Sequence, residues 1–405
     1  MTPASPRSPG RTLALLCLIG FCAGSIYAWS VLAAAKAEAL AAAGAAAGAS
    51  GLSLAFGIAN GIGPVPMIAG GLANDRFGPR PVIIAGALLI GSGLAVCGLA
   101  QEAAQVIAGY GVLFGLGLGL SYGAVVSTAV RLFPGRRGLA SGLVTASYGL
   151  SSVLVPPAAQ ALIESVGIAG TFFTLGAVFA AVMTACALAA DLPGARSAAA
   201  GPRSGGLSPR EMLRAPEFLP MILVLLTGAL AAMMVLSQAA SIARDLIGAG
   251  AKEAALAVSF IALFNMASRL AAGHLSDRLG RLPVLAGALA AAFAALVLLL
   301  FAGRGDYALF LLSGALTGAS LGSFMAVYPG LTVDRFGPAH AGVNYGIVFC
   351  GFSAAGLLGP VIAGAFGAAG AGGRAGTALA LAVTAASFPC LALLSRAIRR
   401  SGRPV

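Results

Sequence analysis

The sequence predicts an all-α membrane protein of twelve transmembrane helices, arranged as two pseudo-symmetric halves of six. Three observations carry that prediction. Of 405 residues, 59% are apolar types and only 9% are charged, with a mean hydropathy of +0.97, against about 25% charged in an ordinary soluble domain. Apolar runs of the length that crosses a hydrocarbon core, about 17–25 residues, follow one another along the whole chain. A charged string after the second run returns 202 positions later, after the eighth.

The first apolar run, 13–35, stands behind Arg7 and Arg11. It exceeds the ~7–15-residue core of a secretory signal and reads as the first span. Taking charge, Pro or Gly as boundaries, helices are expected at 12–35, 51–73, 81–100, 103–130, 138–163, 168–190, 217–242, 254–275, 283–302, 307–330, 341–366 and 376–396. In lipid only helices and closed barrels satisfy their own backbone, and runs this long and continuous are helical. Between the sixth and seventh, 191–216 carries Arg196, Arg203, Arg210 and Arg214 among Gly, Ser and Pro. It reads as a cytoplasmic linker joining an N-terminal half, 1–190, to a C-terminal half, 217–405.

The net charge of +12 raises the question of nucleic acid, but binding there needs basic residues interleaved with aromatics on a solvated face. Here they lie between apolar spans, so nucleic acid is not an expected partner and the lipid bilayer is. With both termini inside, Lys36, Arg244, Lys252, Arg304 and Arg374 fall outside and Arg269 falls within a span, leaving 18 of the 24 Lys and Arg inside. The 12 acidic residues divide evenly. That bias in Lys and Arg alone is the positive-inside pattern, and it predicts a multi-pass protein of the cell (plasma or inner) membrane with both termini cytoplasmic. The six cysteines lack metal or dithiol spacing. No constellation for catalysis is evident, so neither an enzyme, a metal nor a cofactor is expected.

The recurring string is Gly71-x-x-x-Asp75-Arg76-x-Gly78-x-Arg80, matched by Gly273-x-x-x-Asp277-Arg278-x-Gly280-Arg281; the stretch Phe133 to Pro156 is likewise echoed by Phe336 to Pro360. Each string joins a helix end to a tight turn where Asp and Arg can pair with neighbouring helix ends or each other. Matched halves are the arrangement of transporters that rock about a midplane site. Gly115, Gly117 and Gly119 sit inside an apolar helix, where close helix packing is their expected role.

Arg269 is the one Lys or Arg expected within a span, with no acidic residue expected inside a span to neutralise it. Such a charge costs on the order of 2.5–3.5 kcal/mol at bilayer depth and usually lines a cavity or meets a partner. An anionic ligand would supply the missing charge through a bidentate contact; snorkelling to the inner surface or bonding to carbonyls is the alternative. Asn265, one turn earlier, shares its face and can donate a second hydrogen bond. His274 follows the eighth helix and is a weaker candidate for handling protons.

The repeated Gly-x-x-x-Asp-Arg-x-Gly string resembles the signature of the major facilitator superfamily, which implies that Asp75, Arg76, Asp277 and Arg278 act in cytoplasmic gating. Ile26-Tyr27-Ala28-Trp29-Ser30-Val31, the stretch from Arg131 to Gly142, and Tyr328-Pro329 through Asn344-Tyr345-Gly346 resemble the oxalate/formate antiporter family, which is close to the monocarboxylate transporters. The resemblance implies that Arg269 binds carboxylate beside Asn265, and that Tyr27, Asn60, Tyr122 and Tyr148 are pocket positions. It also exposes a departure. Oxalate exchangers of this family carry a lysine eight residues after the Asn of Asn-Tyr-Gly, and that position here is Phe352. Aromatic positions of the tenth helix fall on Leu321 and Met325, while Phe349 is retained.

One buried Arg balances one carboxylate, and a dianion would keep a surplus desolvated charge. The expected substrate is therefore a small monocarboxylate of the lactate, pyruvate or formate type, its tail against Phe349, Cys350, Phe352, Leu321 and Met325. A dicarboxylate exchanger of the oxalate type is the alternative, and a drug or cation exporter on the same fold is a third reading. The coupled species, a co-transported proton or an exchanged anion, is left open by the sequence, as is uniport.

Overall fold

The structure is a computed structural model that describes residues 8–42, 49–192, 206–368 and 372–401. Arg7 and residues 193–205 of the expected linker, with Arg196 and Arg203, lie outside the described residues. Among the described residues, eleven helices are long and apolar enough to cross a membrane. In order these are α1 Pro9–Ala42, α2 Leu54–Phe77, α3 Pro79–Leu99, α4 Ala103–Leu132, the 53-residue Arg137–Ala189, then Phe218–Leu246, Lys252–Leu279, Arg281–Phe301, Tyr307–Phe336, Ala341–Ala363 and Ala375–Ser401.

Arg137–Ala189 is two spans. At ~1.5 Å per residue it would reach about 80 Å, well past a ~30 Å hydrocarbon core. Gly167, at φ 72° and ψ 171°, breaks it. Its arms are α5 (137–166) and α6 (168–189), and the remaining helices are α7 to α12 in the order given, twelve among the described residues.

The charged repeat owes its last glycine to the backbone. Gly78 (φ 85°, ψ 169°) turns α2 into α3, and Gly280 (φ 91°, ψ 162°) turns α8 into α9. Both lie in a region costly for a residue with a Cβ. Helix ends run past the expected boundaries: α1 continues to Ala42 through a 3-10 segment, Gly24–Ala28, and α10 continues to Phe336. Charged residues were read as boundaries, but Lys36, Asp75, Asp277 and Asp334 sit within helices and find partners there.

Large apolar side chains face outward, among them Phe301 (79% exposed), Val361 (70%) and Leu99 (69%). Such a surface suits lipid, where helix association depends on small residues that let backbones approach. Gly115, Gly117 and Gly119 act in this way. A Cβ at each would lie 2.8 Å from Ala59 Cα, 2.5 Å from Gly86 O and 2.4 Å from Pro66 Cγ, respectively.

The helices group into two compact units. One takes in the described parts of Met1–Phe133 and Ser147–Ser208 with Phe336–Ile347. The other takes in Pro134–Ala146, Pro209–Arg335 and the described part of Val348–Val405. Each is described below by itself.

Candidate functional site

In the second unit, α8 is squeezed between α5 and α10 by glycines on both neighbours. A Cβ at Gly138 would lie 2.3 Å from Gly273 O, and one at Gly142 would lie 2.5 Å from Arg269 O. Earlier along α8, on the same four-residue row, a Cβ at Gly318 would lie 2.5 Å from Ile261 O, and one at Gly322 would lie 2.1 Å from Asn265 O. Backbones this close leave the Arg269 Cα little freedom.

The Arg269 side chain is only 3% exposed, so it does not reach the surface; of the alternatives to a ligand, bonding to a carbonyl is met at one nitrogen. Its Nε and Nη2 donate to Asn265 Oδ1 at 3.1 and 2.9 Å, and Nη1 donates to the Thr145 carbonyl at 2.7 Å. Asn265 Nδ2 in turn donates to the Gly318 carbonyl of α10 at 3.2 Å. A guanidinium has five N–H donors, so one on each Nη is left without an acceptor among the described residues. All its partners are neutral oxygens. No carboxylate pairs with Arg269 among the described residues, whereas the other arginines of this unit that are under 10% exposed, Arg281 and Arg335, each have one. Asn265 holds Arg269 against α10 through Oδ1 and one N–H of its amide, and the second Nδ2 N–H is the donor it would offer a ligand.

The apolar positions of the same unit lie in part together. Leu321 packs in a cluster with Ala229, Ala232 and Ala355, and Phe352 borders it. The Phe349 and Phe352 rings are 5.0 Å apart. Met325, one turn after Leu321, is 5% exposed. Cys350 is exposed and, at about 100° of helical rotation from Phe349, presents another face.

In the first unit the three tyrosines meet. Tyr148 lies edge-on to Tyr27 at 5.6 Å and to Tyr122 at 5.2 Å. Irregular backbone sets this up. Gly24 opens the 3-10 segment of α1, and a Cβ there would lie 2.1 Å from Tyr148 O. The Ile26 carbonyl in that segment accepts a hydrogen bond from Tyr110 Oη at 3.1 Å. Tyr110 belongs to a π-helical stretch, Ile107–Phe114, and stacks between Trp29 and Phe114. Tyr27, Trp29, Ser30, Leu52 and Phe56 border a cavity of about 420 Å³. Asn60 is exposed and donates to the Phe56 carbonyl of its own helix at 2.9 Å.

The charged repeats do different work in their two copies. Asp75 pairs with Arg131 of α4. Asp277 accepts from the peptide N–H of Gly138 (2.8 Å) and Leu139 (2.7 Å) at the start of α5, where the helix dipole favours an anion, and from Arg281 at 2.8 Å. Arg281 also reaches Asp334, which pairs with Arg137. Arg76 and Arg278, expected to act beside their aspartates, are exposed and form no ion pair among the described residues. The arginines that do pair, Arg131 and Arg281, come from neighbouring helix ends.

One expectation is corrected. Lys36 was assigned to an outer loop, as were Arg244 and Lys252, and all three lie within helices. Lys36 lies inside α1, 4% exposed, with Nζ 2.7 Å from the carbonyl of Ala100. Ala100 ends α3, and a lysine is favoured at a helix C-terminus. That carbonyl gives the buried ammonium a hydrogen-bond partner, which no apolar-run boundary reveals.

Over residues 13–305 and 238–404 the chain matches the family model described as Major Facilitator Superfamily. It is 29% identical to the oxalate:formate antiporter of Oxalobacter formigenes, over 96% of this chain and 91% of that one. Human monocarboxylate transporter 11 is 30% identical over 77% of this chain and 67% of its own length. A crystal structure of the Escherichia coli fucose:proton symporter FucP superimposes with a TM-score of 0.72 at 17% identity, covering 96% of this chain and 99% of that one.

Proposed function

Because the chain belongs to the major facilitator superfamily, we propose that it is a secondary active transporter of a small organic anion, a monocarboxylate of the lactate, pyruvate or formate type, moved by alternating access. The single observation that carries this reading is Arg269: 3% exposed, held in place by neutral oxygens, and without a carboxylate partner among the described residues. A charge of that kind in a spanning helix is costly, and a ligand carboxylate that takes the two remaining donors both satisfies and neutralises it. Substrate binding then favours the conformations in which the site is shut off from water, since those are where an unneutralised cation costs most.

The relatives named for oxalate, formate and monocarboxylates agree with an anionic substrate. The apolar side chains of Leu321 and Phe352 beside α7 favour a substrate with one charge over one with two. On this reading the halves 1–190 and 217–405 are the moving parts, joined by the linker 191–216.

Uptake of radiolabelled lactate, formate and oxalate into proteoliposomes, with and without a pH gradient or a trapped counter-anion, tests the proposal and reads out the coupling. Lactate and formate are expected to enter and oxalate to be excluded; Arg269→Ala is expected to abolish uptake, and Arg269→Lys to weaken it because the planar fork is lost. Uptake by Arg269→Ala equal to the parent would overturn the assignment. Efficient oxalate exchange would replace the monocarboxylate with a dicarboxylate.

A further inference from the structure

We propose that Asn265 is a positioning residue: it aims the Arg269 guanidinium while leaving its charge unneutralised, so that the negative charge at this site comes from the ligand and not from the protein. The inference rests on the reading of Arg269 as the carboxylate ligand.

The amide can adopt only one orientation. Nδ2 donates to Gly318 O at 3.2 Å, so Oδ1 faces Arg269, where it accepts from Nε and Nη2 at once. A flipped amide would set N–H donors against a guanidinium that offers no acceptor. One neutral oxygen thereby holds a whole edge of the guanidinium, and α10 holds that oxygen. With Thr145 O on Nη1, the fork is fixed from α8, α10 and α5 at once, which is the rigidity a bidentate anion site needs.

The same geometry shows what a carboxylate would do. An aspartate at 265 would place one oxygen about where Oδ1 now lies, 2.9–3.1 Å from the guanidinium, and the other where Nδ2 now faces the Gly318 carbonyl, and form an internal ion pair in competition with the ligand. Among the described residues no carboxylate pairs with Arg269. On the elements packed against this pair, Asp277 is taken by Arg281 and the α5 N-terminus, and Asp334 by Arg137 and Arg281. His274, further along α8, is exposed.

The test is lactate uptake by Asn265→Asp and Asn265→Ala proteoliposomes across pH 5 to 8, each rate expressed relative to the parent at the same pH so that protonation of lactate itself cancels. Asn265→Asp is expected to fall by about tenfold or more at neutral pH, as an ion pair to the new carboxylate displaces the ligand, and to recover toward the parent as acid protonates that carboxyl. Asn265→Ala is expected to raise KM at every pH with no acid recovery. A parent-like pH profile for Asn265→Asp would overturn the inference, and so would a loss that acid does not relieve in protein that elutes as a folded monodisperse species. If Asn265→Asp does not fold, a parent-like KM for Asn265→Ala would overturn it instead. Arg269→Ala separates the two levels: if that variant still transports, the site reading itself fails; if it is inactive and Asn265→Asp behaves as the parent, only the positioning role fails.

Discussion

Lys36, Arg269, Arg281 and Arg335 are between 3% and 8% exposed, and each meets its burial cost differently. Arg281 has Asp277 and Asp334, and Arg335 has Glu217 at 3.1 Å with Ser401 Oγ at 2.7 Å. Lys36 sits at the C-terminal end of α3, whose partial negative charge compensates it. Arg269 is left with neutral partners in mid-helix, which is why the functional argument rests there. The contrast makes Glu217 a useful probe. Burial by itself raises its carboxyl pKa, but hydrogen bonding with Ser401 and Arg335 outweighs that, and the net shift is downward. A depressed folded pKa gives stability that is complete above the usual glutamate range and is lost as pH falls through the lowered value. Glu217→Gln is therefore expected to flatten the acid limb of the unfolding temperature in detergent. Arg335→Ala, which strands a carboxylate of 0% exposure, should destabilise by about 3–5 kcal/mol. The residue pair at the candidate site was legible beforehand, since Asn265 and Arg269 are four apart on one helical face. The role of the amide was not, because it depends on a carbonyl 53 positions away on α10.

At the scale of elements, the alignment of α8 with α5 and α10 depends on glycines rather than on large side chains. Gly314, Gly318 and Gly322 recur every four residues on α10, and each would press a Cβ against α8: 2.5 Å from Ile261 Cγ1, 2.5 Å from Ile261 O and 2.1 Å from Asn265 O. Contacts with backbone at that distance cannot relax by a rotamer change, so one helix must move, at a cost of about 1–3 kcal/mol. Gly322→Val is expected to lower the unfolding temperature and to reduce uptake by shifting Asn265 away from Arg269. Gly287→Ala in α9, where nothing lies within 4 Å, should leave both unchanged or slightly raise stability, because glycine is a poor interior helix residue. The four-residue spacing on α10 is visible in the sequence as a small-residue stripe. Its partner helix is not, since periodicity tells which face packs and not what packs on it. The same limit explains the repeats: both copies of the charged string were evident, and Arg281 of the second pairs with its own Asp277, yet the partner of Asp75 is Arg131, 56 positions away on α4.

For the whole molecule, twelve spans followed from apolar length and charge alone, because a lipid-spanning chain has almost no alternative to helices. Helix ends were less legible: a charge reads as a boundary unless a buried partner awaits it, as one does for Lys36 and Asp334. Orientation is a separate question that only the distribution of Lys and Arg addresses, and Lys36 sharpens it. Its burial against the end of α3 removes one cation from the loops assigned to the outer side, so the bias of exposed positive charge toward the other side is stronger than a count along the sequence suggests. Both termini are then expected in the cytoplasm. Single cysteines in an otherwise cysteine-free background make the test, since Cys350 is exposed and would give background labelling. Glu102→Cys, between α3 and α4, and Arg136→Cys, before α5, replace exposed residues with no ion pair among the described residues. An impermeant maleimide added to intact cells should label Glu102→Cys at once and Arg136→Cys only after the membrane is permeabilised. The reverse pattern would invert the topology and put Asp277 and its helix-capping contacts on the outer face, and labelling of both in intact cells would mean that α4 does not cross.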